Sequence, residues 1–179
     1  MSPNQIESVV LAIYDKYLST LTTRKDDLTT LVWGWQENAK RFASPERLAK
    51  KQTFVPFLFR PVDKVGVITH CALSGLVLHK DDRRYPPLAA WLEDHRVENY
   101  AKTNWNENVV AYYVVTSCKE LPNPIAFNDL NLASEDRPLN EYKTRGYALV
   151  DLPSPLEAWY DDAINSWIKL ESSLPKSAA

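Results

Sequence analysis

Glycine is scarce in this sequence, with four in 179 residues, and cysteine is scarcer, with two. Gly34, Gly66, Gly75 and Gly146 stand apart from one another. That excludes a G-x-G-x-x-G dinucleotide fingerprint, a P-loop and a G-x-S-x-G nucleophile elbow, all of which need clustered glycines. Cys71 and Cys118 are far from C-x-x-C spacing and lie in apolar stretches. They read as buried thiols of a reducing compartment rather than zinc ligands. No apolar run approaches the ~20 residues of a membrane span, and the N-terminus lacks the charged-then-apolar layout of a leader. The expected location is the cytoplasm, with no membrane partner. Excess charge is also missing: 21 Lys and Arg face 23 Asp and Glu, for a formal net charge of −2. A coat of positive charge for nonspecific nucleic-acid binding is thereby excluded.

What the chain does have is aromatic side chains, with six Trp, nine Tyr and five Phe. Its length suits one core, since a chain of this size buries roughly 70% of its unfolded surface without staples.

The N-terminal segment carries Ser2, Pro3 and Gln5 in cap positions. Ile6, Val9, Val10, Ile13, Tyr17 and Leu21 follow at three- and four-residue spacing, which predicts an amphipathic helix. Thr22 to Thr30 is polar and ends it. The middle reads as strands at Leu31–Trp35, Thr53–Phe59, Val65–Leu78, Val109–Ser117 and Gly146–Val150. Short helices are predicted after Ser44-Pro45 and after Pro86-Pro87. Leu121-Pro122-Asn123-Pro124-Ile125 predicts a turn. Ser154, Pro155 and Glu157 open a last helix whose apolar face includes Leu156, Trp159, Ala163 and Trp167. The expected organisation is an N-terminal helix and linker over 1–30, a β-rich domain over 31–152 and a C-terminal helix and tail over 153–179.

Catalytic patterns are thin. His70, His79 and His95 form no H-E-x-x-H pair. His70 and Cys71 are strand neighbours, whose side chains point to opposite faces. Asp81-Asp82 and Asp161-Asp162 lie among solvated charges. No catalytic residue, metal ligand or cofactor is assigned.

Aromatic and basic residues interleave more informatively in Trp33-Gly34-Trp35-Gln36-Glu37-Asn38-Ala39-Lys40-Arg41-Phe42. Between Glu37 and Lys51 five basic residues face two acidic ones, whereas between Glu157 and Glu171 four acidic residues face one basic. The near-neutral total thus conceals a polarised chain. A positive segment beside aromatic faces suits a site that neutralises a few phosphates and stacks one base. Trp33 and Trp35 read first as core, because alternation puts both on one strand face, and only second as a base cage.

LVWGWQENAKRF (31–42) resembles the opening strand and loop of EVE domains. TFVPFLFRPVDKVGVITHCAL (53–73) resembles the strand pair that follows in EVE and YTH domains. From Trp105 to Leu152, a Trp-containing loop, the strand VVAYYVV, KELPNPIAFNDL and EDRPLNEYKTRG run in an order similar to the second half of YTH domains. The resemblance implies an α+β fold of the PUA-like superfamily, a small EVE/YTH-type β-barrel flanked by helices, with amphipathic helices added at both ends. It implies a non-enzymatic reader of a modified, methylated base flipped into an aromatic pocket, a possible targeting module of a restriction or defence protein. The implied base-binding residues are Trp33, Trp35, Asn38, Trp91 and Trp105, and the phosphate-binding residues are Lys40, Arg41, Lys50 and Lys51. The tryptophan that YTH domains carry after the opening loop has no counterpart, so Phe54, Trp33 or Trp35 substitutes or the cage is incomplete.

The implied partner is nucleic acid containing a modified base, DNA before RNA. The terminal helices are expected to pack on each other or on the barrel; otherwise they offer a face for a homodimer or a covalently linked effector, with Trp159 and Trp167 as anchors. Two alternatives remain open. One is an amidohydrolase of a modified nucleoside on the same fold, with Lys64, Thr69 and Glu107 as conceivable members of its cluster. The other is a protein–protein interaction domain with no nucleic-acid site.

Overall fold

The computed structural model of the chain describes residues 5–24, 27–34, 44–64, 66–97, 109–133 and 147–175. Six strands form one mixed sheet: β1 (Glu7–Ile13), β2 (Thr29–Gly34), β3 (Val55–Pro61), β4 (Val67–His79), β5 (Val109–Ala126) and β6 (Tyr147–Asp151). Helices α1 (Asp15–Thr23), α2 (Ser44–Lys51), α3 (Tyr85–Asp94) and α4 (Glu157–Leu170) surround it. The strand order is β2-β5-β4-β3-β1-β6. Only β1 and β3 run parallel; the other neighbours are antiparallel.

The first correction concerns Glu7–Ile13, where a strand replaces the predicted helix. Ile6, Val9, Val10 and Ile13 satisfy a helical period, but Val9, Val10 and Leu11 are also a continuous β-branched and aliphatic run. A strand buried on both faces reads in just that way. Val9, Leu11 and Ile13 enter one core and Val10 the other. Residues 1–30 therefore contribute an interior strand, hydrogen-bonded between β3 and β6, and the helix is confined to α1.

The second correction concerns closure. The sheet is open, not a barrel. Its β2 edge is covered by the stretch after α3, where the Thr30 N–H donates to the His95 carbonyl (2.8 Å) and the Val97 N–H to the Thr30 carbonyl (3.0 Å). Its β6 edge is covered by 131–133, through Ala133 N–H to Leu149 O and Asp151 N–H to Asn131 O. Such covers satisfy the ladder groups that barrel closure would otherwise pair. The architecture is α+β.

The third correction is the length of β5, which runs on through the predicted turn at 121–125. Ile68 pairs with Ile125 and His70 with Glu120, so the β4–β5 register slips there. Pro122 and Pro124 fall in the stretch without ladder partners, which suits a residue lacking an N–H.

Both faces of the sheet are buried. α3 and α4 cover one with Leu88, Leu92, Trp159, Ala163 and Trp167. α1 and α2 cover the other with Tyr17, Leu18, Leu21 and Leu48. Gly75 in β4 lies directly under Trp167, where a β-carbon would clash with the indole ring. Ser117 in β5 takes the left-handed conformation at φ 59°, and its carbonyl accepts from Trp159 Nε1 at 3.0 Å. Each tryptophan of α4 thus seats on an irregularity of the β4–β5 pair.

Candidate functional site

Most of the residues that the sequence nominates for base and phosphate binding fall outside the described residues: Trp35, Asn38, Lys40, Arg41 and Trp105. Trp33 lies in β2 opposite Ala111 of β5. Phe54 is half-buried against the α3–α4 core. Lys50 and Lys51 end α2 and are exposed. Their helix packs on the second core through Leu48, whereas α3, which carries Trp91, packs on the first through Leu88 and Leu92. Trp91 and this lysine pair therefore belong to opposite faces of the sheet.

α3 begins at a Pro86-Pro87 first turn, where a missing N–H costs nothing. Just before it the Asp82 carboxylate accepts from the Arg84 backbone N–H (2.8 Å) and its guanidinium (2.9 Å). The guanidinium holds the Asp82 carboxyl below its ordinary value. Leu88 and Leu92, four residues apart, turn inward and leave Trp91 on the flank. One turn later His95 ends the helix, and its ring stacks on the Trp91 indole with centroids 3.9 Å apart and planes 15° apart. His95 Nδ1 is 2.8 Å from the Trp91 carbonyl oxygen, which fixes the imidazole.

This aromatic pair lines a cleft of about 490 Å3 together with Arg24, Asp27 and Asp94. A volume in that range holds a small ligand. The helix beneath is braced from the sheet. Glu93 accepts from Tyr112 Oη (3.1 Å) and from Arg96 Nη1 (2.8 Å), and Tyr85 stacks on Tyr112 with hydroxyls 3.3 Å apart. Burial, then the Tyr85 hydroxyl and the Glu93 charge, push the Tyr112 hydroxyl far above its ordinary pKa.

A second cleft, of about 480 Å3, opens between α1 and the slipped register of β4–β5 and is lined by Asp15, Lys64, Thr69, His70 and Glu120. Ile68 and Cys71 both enter the α3–α4 core although three residues apart. Strict alternation is broken there, so Thr69 and His70 can both line the cleft. Thr69 Oγ1 lies 2.7 Å from His70 Nδ1. Burial lowers the His70 pKa, while Glu120 and Asp15 act to raise it. The Asp15 carboxyl is held above its ordinary value by desolvation and by the hydrogen-bonded Asp63 carboxyl.

Lys64 and Thr69 of the alternative enzyme cluster thus share a cavity, and Glu107 lies outside the described residues. Sequence reasoning missed Asp15 and Glu120. Glu120 was detectable only through its pairing with His70, which depends on a register slip. A third concavity, about 610 Å3, is lined by Pro122, Pro124, Pro153 and Pro155 and, among the described residues, by no aromatic ring or histidine.

Among the described residues no group of three His, Cys, Asp or Glu could hold a metal ion, and no helix is long and apolar enough to cross a membrane. No protein-family model matches the chain, and no curated protein matches it.

Proposed function

We propose that the chain is a nucleic-acid reader that holds one modified base in the cleft beside Trp91, and that it is a diverged member of the EVE/YTH group of PUA-like domains. The observation that carries this reading is the Trp91–His95 stack lining a cleft of base-accommodating size. Extruding a base costs a few kcal/mol, and stacking on an aromatic face returns about 1–3 kcal/mol. A methyl group that reaches an apolar wall adds roughly 0.8 kcal/mol. Asp27 and Asp94 supply acceptors and Arg24 a donor. Carboxylates accept from an exocyclic amine, so an amino-bearing base, cytosine or adenine, suits this lining better than thymine. Lys40 and Arg41 remain the proposed phosphate contacts, while Lys50 and Lys51, on the opposite face of the sheet from Trp91, are not counted with this cleft. With so few, log K should fall with log salt by about 0.9 per duplex phosphate neutralised.

The test is fluorescence anisotropy with labelled oligonucleotides, DNA and RNA, each unmodified or carrying methylated cytosine or adenine, at low salt. One methylated probe should bind more tightly than its unmodified partner. Trp91→Ala should remove that difference while circular dichroism and the melting transition stay native-like. Equal and negligible affinity for every probe would sink the reading. So would selectivity that survives Trp91→Ala in folded protein.

A further inference from the structure

We propose that the cleft between α1 and the β4–β5 pair is a separate hydrolytic site in which His70 is the general base, acting on uncharged carboxylic esters. It lies on the α1 side of the sheet, opposite α3 and Trp91, so it stands or falls independently of base reading.

The argument begins with the backbone. A register slip that places two consecutive side chains on one side of a strand is a frequent device beside active sites. Here it brings Thr69 and His70 to the same cavity. The Thr69 side chain, 8% exposed, engages Nδ1 and fixes the ring. Nε2 has no hydrogen bond among the described residues and is the nitrogen left for a molecule in the cleft. A base needs a free lone pair at working pH and a fixed position; the tautomer whose Nδ1–H donates to Thr69 Oγ1 fixes the ring and leaves the Nε2 lone pair free, and partial burial favours the neutral imidazole.

The charged groups facing His70 come from three elements: Asp15 of α1, Lys64 of the β3–β4 turn and Glu120 of β5. Glu120 is the direct cross-strand partner of His70, placed to stabilise the imidazolium as it forms. The Lys64 ammonium is the one cation lining the cleft among the described residues and is the group that can face an oxyanion. Among the described residues two carboxylates face one ammonium, which disfavours anionic substrates and argues for an uncharged ester over a phosphate ester.

The chemistry balances with water as the co-reactant. His70 Nε2 takes a proton from water as its oxygen bonds to the ester carbonyl carbon. The carbonyl oxygen carries the negative charge of the tetrahedral intermediate. That intermediate then collapses, the bond to the alkoxy oxygen breaks, and the imidazolium returns the proton to the leaving alkoxide. An acid and an alcohol result.

The probe is p-nitrophenyl acetate, followed through many turnovers by nitrophenolate release. The full chain should hydrolyse it faster than free imidazole at equal concentration. His70→Gln should lose about 100-fold or more, the lower end of a general-base contribution, with an unchanged circular dichroism spectrum. Added imidazole should restore part of the rate to His70→Ala, which a structural role for the ring would not produce. Glu120→Gln, at an exposed position, should move the acid limb of the pH–rate profile to lower pH, because a charge that raises the His70 pKa is gone. A wild-type rate no greater than free imidazole overturns the proposal. Full activity in His70→Gln, no imidazole rescue of folded His70→Ala, or an unmoved profile in Glu120→Gln does so equally.

Discussion

The indole of Trp167 occupies the space that a side chain at position 75 would need. Helix α4 approaches β4 this closely because Gly75 has no β-carbon, and the β4–β5 register shifts at the same point, between Ser74 and Leu76. Trp167 is 3% exposed and sits in the α3–α4 core, with its Nε1 donating to Glu171.

Gly75→Ala should therefore behave as severe overpacking, destabilising by about 3 kcal/mol. Trp167→Ala should cost about 3–5 kcal/mol through the cavity it leaves. Urea unfolding of the two single variants and the double variant should give a cycle well below additive, since the alanine at 75 clashes only when the indole is present. Additive losses would show that α4 is held elsewhere.

Tyr112→Phe should remove the hydroxyl that joins Tyr85 and Glu93 while leaving the aromatic stack. A loss of about 1–2 kcal/mol is expected, from one or two net hydrogen bonds. Amide hydrogen exchange in α3 should accelerate ahead of exchange in β4, because this network braces the helix carrying Trp91.

Stability below neutral pH should depend on His70. Its folded pKa lies below the ordinary 6.5, so between the two values the unfolded chain binds a proton that the folded chain does not. Stability then rises with pH through that window and levels off above about 6.5. Asp15 acts in the opposite sense: its folded pKa lies above 3.8, so its share falls as pH rises from 3.8. The difference between wild type and His70→Gln, measured as melting temperature against pH, isolates the histidine and should slope upward below 6.5.

Both thiols should be inert in the native protein. Cys71 and Cys118 are free and buried, and burial pushes the Cys118 thiol up to about 12 and Cys71 higher still. A thiol-reactive chromogenic disulfide should react with neither at neutral pH and with both in denaturant. Rapid reaction of one thiol in native protein would place it at an opening of the core.

The helices at paired Ser-Pro and Pro-Pro were legible because capping and first-turn chemistry is local: α2, α3 and α4 begin at those signals or no more than three residues from them. β5 was legible in its apolar half and not beyond, since Pro122 and Pro124 signal a break that the interrupted ladder tolerates. The segment Glu7–Ile13 was misread because a doubly buried strand and an amphipathic helix can share the same apolar spacing, and only pairing with β3 and β6 separates them. The site was less legible still. Trp91 was nominated as an aromatic residue, but its stacking on His95 and its separation from Lys50 and Lys51 follow from which core each helix packs on.

By itself the sequence determined the chemistry available. Few glycines exclude phosphate-cradling loops, balanced charge excludes a broadly basic surface, and an excess of tryptophan calls for close packing. Tertiary structure decided where that chemistry goes. Trp159 and Trp167 go to the irregular β4–β5 pair and Trp91 to a cleft, while His70 joins Asp15, Lys64 and Glu120 across three elements. Local propensity acts over a few residues, whereas strand order, register slips and helix docking set neighbours across the whole chain. Those long-range pairings also keep the sheet open and both its faces buried.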